Sequence, residues 1–188
     1  MEPELLLTAD QKLFLFLNGL HSRWTDGLMY WITFKFTWIP MYVFLIYQIY
    51  KNYARKSLFV ILPIVGAVAL ADQITSGLMK PFFARLRPCH DPSIGNLVHL
   101  VGGCGGQFGF ASSHASTSFA LATSCFLISR STVPKTWLLF VWALVYSYSR
   151  IYVGVHYPGD IAVGALVGLL SGSLFAGVYK KSLEPKML

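Results

Sequence analysis

The chain has 188 residues, 55% of them hydrophobic and 12% charged, where a soluble domain carries about 25% charged residues. One core of this size cannot bury so much apolar surface, whereas about five bilayer spans of roughly twenty residues each account for it. The Gly, Pro and Cys counts of 16, 9 and 3 exclude a collagen repeat, a low-complexity chain and a disulfide-dense secreted scaffold; the formal charge of +7 leaves nucleic acid, anionic lipid and an anionic substrate open.

The segment Met1-Glu2-Pro3-Glu4 carries no Lys or Arg ahead of an apolar stretch, so no cleavable leader is expected. Residues 13–20 are apolar but too short to cross a bilayer, and Asp10, Lys12, Asn18, His21 and Arg23 flank or interrupt them, which predicts an interfacial or partly buried helix. Residues 27–50 are long enough to span, with a kink expected near Lys35 or Pro40. A second span, 58–79, turns polar at Asp72, Gln73, Thr75 and Ser76 as it nears Lys80. The third, 112–129, is rich in Ala, Ser and Thr; the fourth, 137–152, is aromatic; the fifth runs from Asp160 to about Tyr179. Gly164, Gly168 and Gly172 recur there at four-residue intervals, a stripe that lets a neighbouring helix approach closely. The fold class expected is an all-α integral membrane bundle of about five to six transmembrane helices with an N-terminal interfacial helix, residues 1–188 forming one domain.

Five spans put the 81–111 loop and the turn around 153–159 on one face. The opposite face holds Lys51, Arg55, Lys56, Arg130, Lys135, Lys180, Lys181 and Lys186, so the positive-inside rule makes it cytoplasmic and turns the long loop outward. Cys89 and Cys104 both lie in that loop, where they are either bridged or free thiols. Cys125 is expected as a small packed side chain.

Three separated segments bring cations, hydroxyls and histidines to membrane ends on the outward face: 80–88, 111–114 and 149–160. Lys80, Arg87 and Arg150 supply the fixed charge and forked donors a phosphoryl group requires. Ser112 and Ser113 open the third span, where free backbone N–H groups and the helix dipole favour an anion. His156 precedes Asp160 by four residues, close enough for the carboxylate to fix one ring nitrogen as N–H and leave the other as nucleophile. His114 is the complementary general acid. Each residue alone has a duller explanation, as snorkelling cation, helix cap or packed ring; His21, His90 and His99 are read that way. The coincidence of three segments on one face carries the catalytic reading.

At these residues the sequence resembles the type 2 phosphatidic-acid phosphatase superfamily of integral-membrane lipid phosphatases. Its first motif, Lys, six residues, Arg-Pro, is met by Lys80, Arg87 and Pro88, and its third, Ser-Arg, five residues, His, three residues, Asp, by Ser149, Arg150, His156 and Asp160. The second, usually Pro-Ser-Gly-His, stands here as Ala111-Ser112-Ser113-His114, so the Ser113 side chain must fit where the family has Gly. The resemblance implies hydrolysis of a lipid phosphate or pyrophosphate with no metal or other cofactor. Candidate substrates are undecaprenyl pyrophosphate, lipid A phosphate, phosphatidylglycerophosphate and phosphatidate, the first two favoured by an outward site in a bacterial-type inner membrane. The expected partners are that lipid and the membrane, with nucleic acid disfavoured because the basic residues divide between a cytoplasmic fringe and an anion site. The competing class is a non-catalytic lipid-headgroup binding or transport protein, for which His156 would be dispensable. Oligomeric state is left open.

Overall fold

The computed structural model describes residues 8–183; the Met1–Glu4 segment and Lys186, on which two of these expectations rest, lie outside them. Among the described residues the chain is all-helical, with a single antiparallel bridge between Leu86 and Phe108 in place of any strand. Helix α1 spans Ala9–Asn18, α2 Arg23–Thr33, α3 Ile39–Tyr53, α4 Ser57–Asp72, the short α5 Lys80–Phe83, α6 Ser113–Ser129, α7 Leu138–Tyr152 and α8 Pro158–Val178. Two helical stretches, Lys35–Phe83 (broken at Ala54) and Pro158–Leu183, are long and apolar enough to cross a bilayer, and Leu138–Tyr152 is apolar but shorter.

Local chemistry explains the boundaries. Helix α1 begins earlier than its apolar run because Thr8 and Gln11 form a reciprocal capping box. The expected kink falls at Phe34, which leaves the helical region (ψ 118) between α2 and a short 3-10 turn over Lys35–Trp38; the Trp38 indole N–H bridges the break to the Ile32 carbonyl at 2.8 Å. Pro40 sits at the start of α3, where its missing N–H costs nothing. The chain reverses at Ala54 (φ 47), so α3 and α4 line one cavity together. A π-helical turn over Gln73–Met79 joins α4 to α5, and Ala84 in the left-handed region ends it.

The tightest packing is between α6 and α8. A Cβ added at Gly164 would stand 2.4 Å from the Ser112 carbonyl oxygen, one at Gly168 2.3 Å from that of Ser116, and one at Gly172 2.6 Å from Thr123 Cβ. The three glycines therefore let α8 lie directly on the backbone of α6, which fixes the start of α6 against the start of α8. At the same end of the bundle, α1 packs on the turn between α7 and α8. Phe14, fully buried, meets Tyr157 edge to face at 5.4 Å. The buried Asn18 amide donates to the carbonyls of His99, Ile151 and Tyr152.

Candidate active site

The three motif segments meet where α5, the start of α6 and the α7–α8 turn converge. Leaving α7, the chain turns through Gly154 (φ 84), where a Cβ would come within 2.8 Å of the His99 carbonyl oxygen. The N–H groups of Val155 and His156 donate to the Arg150 carbonyl at 3.1 and 3.2 Å, which ties His156 to the end of α7. Pro158 then starts α8, and Asp160 in its first turn accepts from the Tyr157 N–H through Oδ2 at 3.0 Å. The same oxygen lies 3.3 Å from His156 Nδ1, with both side chains buried. A carboxylate there holds Nδ1 as the N–H and leaves Nε2 with its lone pair. Burial, and then the charges of Arg150, Arg87 and Lys80, hold the His156 pKa well below the usual imidazole value, so the ring is neutral at pH 7. Gly109 closes over the pair: a Cβ there would sit 3.0 Å from Asp160 Oδ2.

The cations are each held in place. Lys80 Nζ donates to Ser113 Oγ at 2.7 Å. Arg87 donates to the carbonyls of Cys104 at 2.8 Å and Phe108 at 3.3 Å, and Cys89 and Cys104 are joined by a disulfide across a Cα separation of 6.0 Å, so the loop that carries these carbonyls is clamped beside Arg87. Arg150 donates to the Thr33 hydroxyl. The charges of all three act on both His114 and His156, so the structure brings the five groups into one electrostatic neighbourhood.

Ser112 stands just before α6, its N–H donating to the Asp160 carbonyl at 3.0 Å. Its hydroxyl makes no capping bond, and Ser112 Oγ and Arg150 Nε are buried atoms with no hydrogen-bond partner among the described residues. Buried donors of this kind cost about 1–3 kcal/mol each when unpaired, and both suit phosphate oxygens. Ser113, where the family pattern has Gly, turns its side chain toward the π-helical turn. Its Oγ lies 2.6 Å from Ser76 Oγ as well as taking the Lys80 bond, and Ser76 in turn donates to Asp72 at 3.0 Å. The added side chain thus braces Lys80. His114 packs its ring 5.4 Å from that of Tyr146 and lines, with Ser113 and Asp72, a cavity of about 480 Å³ walled by Ile64, Val65, Leu121 and Trp142. A smaller, wholly apolar pocket of about 160 Å³ shares Tyr42, Ile64, Val65 and Leu121 and extends along α6 to Cys125. The two cavities share four wall residues and together form a mostly apolar channel leading away from His114, with Lys35 also on the wall of the larger one.

Sequence reading gives several members of this arrangement no role, although Arg85 falls on the same face as Lys80, Arg87 and Arg150. Arg85 bridges Asp160 Oδ1 at 2.9 Å and Asp10 Oδ2 at 2.7 Å while its guanidinium lies 4.1 Å from the Tyr157 ring centroid. Asp10 Oδ1 accepts from the Gly159 N–H at 2.9 Å. Arg85 stands two residues before Arg87 in an Arg-Leu-Arg run, a local signal; Asp10 and Thr33 come from distant helices and carry none.

A helical bundle that gathers cations, a helix start and a buried His–Asp pair beside an apolar channel has the parts of a phosphoryl-transfer site in lipid. The chain belongs to the PAP2 superfamily, which it matches over residues 60–184. It is similar to the lipid A 4'-phosphatase of Bacteroides thetaiotaomicron, 40% identical over 184 residues covering 95% of this chain and 80% of that protein. It is also similar to the undecaprenyl-diphosphatase of Sulfolobus acidocaldarius, 29% identical over 93% of this chain and 79% of that one. Among solved structures, Aquifex aeolicus LpxE shares the fold with a TM-score of 0.70 at 24% identity, over 92% of this chain and 98% of that one.

Proposed function

We propose that the protein is a membrane phosphatase that hydrolyses a lipid-linked phosphate through a phosphohistidine, with lipid A phosphate as the leading substrate class. The observation that carries the reading is the buried His156–Asp160 pair inside the field of Lys80, Arg87 and Arg150. His156 Nε2 attacks phosphorus as the bond to the lipid oxygen breaks, and His114 gives that oxygen its proton. Water then attacks the phosphohistidine as His114 takes a proton from it, the P–N bond breaks, and inorganic phosphate leaves. Lys80, Arg87, Arg150, Ser112 and the first amides of α6 stabilise the charge on the equatorial oxygens, and Asp160 holds the His156 tautomer. The channel leading from His114 fits an acyl chain, and the 40% identity to a lipid A 4'-phosphatase supports the saccharolipid class. Undecaprenyl pyrophosphate is the second reading, supported by the Sulfolobus relative.

The placement proposed with it is a single domain of five to six transmembrane helices with α1 at the interface, in a bacterial-type inner membrane with the site facing outward. Exposed Phe44, Leu62, Leu144 and Leu170 on α3, α4, α7 and α8 suit contact with lipid. The basic fringe at the opposite end suits the cytoplasm. The test is phosphate release by purified protein in detergent with EDTA across lipid A, undecaprenyl pyrophosphate, phosphatidylglycerophosphate and phosphatidate. Turnover of lipid A, untouched by EDTA and inhibited by vanadate, is expected. Binding of these lipids without release, with His156→Ala binding equally well, would instead mark a headgroup-binding protein.

A further inference from the structure

A second cluster of donor side chains lies apart from the His156 site, at the junction of the α1–α2 turn, the first turn of α2 and the long loop. His21, Asp26 and His99 each present one ligand atom, and these atoms all lie within 4.8 Å of one another. The His21 and His99 rings are stacked, their centroids 3.6 Å apart and their planes 4° from parallel, and His99 Nε2 lies 2.9 Å from Asp26 Oδ1. Donors sharing a tetrahedral Zn²⁺ at roughly 2.0–2.1 Å sit about 3.4 Å apart with the ion in the plane of each imidazole, so the His21 ring must make a turn out of the stack before its lone pair converges with His99 and Asp26. His21 is exposed and has the room to make it.

The other two ligands are already oriented by their surroundings, as metal ligands usually are. The Tyr152 hydroxyl donates to Asp26 Oδ1 at 2.7 Å and lies 2.6 Å from Thr25 Oγ1. The His99 backbone is pinned by Asn18, whose side chain accepts from its N–H at 2.8 Å and donates to its carbonyl at 3.0 Å. We propose that His21, Asp26 and His99 form a Zn²⁺ site that staples the α1–α2 turn to the long loop. Two imidazoles and one carboxylate suit a borderline ion, whereas Ca²⁺ and Mg²⁺ prefer oxygen donors throughout. Water fills the fourth position. The other close Cys/His group, Cys89, His90 and Cys104, offers no thiolate because its cysteines are bridged. The staple lies outside the phosphoryl chemistry. Through Asn18, which also holds the Ile151 and Tyr152 carbonyls, it stiffens the platform that carries Arg150.

The test uses full-length protein in detergent, freed of any affinity tag, stripped with EDTA, desalted and titrated with ZnCl₂ by calorimetry and thermal unfolding. One saturable Zn²⁺ per chain is expected, with a raised Tm. His21→Ala, at an exposed position that spares the fold, should weaken binding at least about tenfold, and Asp26→Asn should do likewise, while His90→Ala leaves it unchanged. Co²⁺ should give the visible absorption of a tetrahedral N/O site in the wild type and lose it in His21→Ala. Absence of saturable binding, or equal binding by wild type and His21→Ala, overturns the proposal. Phosphate release by His21→Ala in EDTA should match the wild type, which separates this site from the reaction.

Discussion

Arg85 donates to Asp160 across 2.9 Å, through the carboxylate oxygen that His156 does not face. Its other terminal nitrogen is spent on Asp10 of α1, so a residue at one of the six unspecified positions of the first motif links the N-terminal helix to the carboxylate beside His156. Arg85 is a positioning residue. Its loss would free Asp160 to rotate and His156 to change tautomer, with Lys80, Arg87 and Arg150 untouched. Arg85→Ala should lower kcat roughly 10–100-fold with KM within about twofold, as outer-shell partners do. Arg85→Lys should restore part of the loss, and Asp10→Asn should cost less than Arg85→Ala. Steady-state kinetics on one lipid substrate checks this; a rise in KM at constant kcat would make Arg85 a substrate contact instead.

The two histidines should separate on an activated substrate. With His156 as the proposed nucleophile, His156→Ala should abolish turnover. With His114 as the proposed acid, His114→Ala should cost about 10²–10⁴ for a poor leaving group but little for nitrophenolate. A rapid burst near one nitrophenol per chain, followed by slow turnover, is expected from His114→Ala with p-nitrophenyl phosphate. Absence of the burst together with loss of turnover equal to that of His156→Ala would remove His114 from the acid role.

How much of this was legible in the sequence follows from how local each signal was. The helix order could be read because long apolar runs stop at polar clusters, and the glycine stripe on α8 announced a close contact whose partner, α6, only the structure supplies. Lys80, Arg87, Ser112, His114, Arg150, His156 and Asp160 could be singled out because their spacing is fixed within three short segments. Asp10 pairs with a residue 75 positions away and Thr33 with one 117 away, and no periodicity encodes such pairs. The fate of Ser113 was opaque for the same reason. Whether its side chain crowds phosphate or braces Lys80 depends on Ser76, 37 residues earlier. Ser113→Gly should therefore leave kcat within about threefold and weaken substrate binding, since one hydrogen bond to a cation contributes about 1.5 kcal/mol or more.

Burial and the neighbouring cations act on His156 in the same direction, against its protonated form. The sign is plain. If His156 is the nucleophile, its neutral form is the active one, and this ring by itself imposes no loss as pH falls until its depressed pKa is crossed. An unperturbed imidazole is half protonated near pH 6.5, and the His156 ring should still be neutral there. Nitrogen NMR of ¹⁵N-histidine protein, assigned by comparison with His156→Gln, would read this directly; half-protonation at or above pH 6.5 contradicts it. Arg87→Gln, which removes one positive charge from the ring's field, should move the midpoint upward.

The α6–α8 contact sets the register between Ser112 and Asp160, so widening it should cost stability and activity together. A side chain at Gly168 meets the Ser116 carbonyl oxygen at 2.3 Å and the Ala120 nitrogen at 2.9 Å, both backbone atoms that cannot turn aside. Gly168→Val should destabilise by about 1–3 kcal/mol or more and lower the Tm in detergent. Gly177→Ala, in the same helix with nothing within 4 Å, should be neutral or stabilising by up to about 1 kcal/mol. Equal Tm values for the two variants would mean that α8 does not press on α6.

The proposed outward orientation is tested by comparing intact cells with cells whose membrane has been opened. The long loop and the end of α8 lie at opposite ends of the bundle if the helices cross as proposed, and the basic residues at the α8 end, Lys180 and Lys181, favour the cytoplasm. Asn96 and Ser182 are both exposed, so a cysteine at either position would be open to reagent from its own side. Background should be low, because Cys89 and Cys104 are bridged and Cys125 is buried. A membrane-impermeant maleimide should label Asn96→Cys in intact cells and label Ser182→Cys only after the membrane is opened. Labelling of Ser182→Cys alone would reverse the topology, turn the His156 site toward the cytoplasm and remove the argument for a lipid phosphate presented outside.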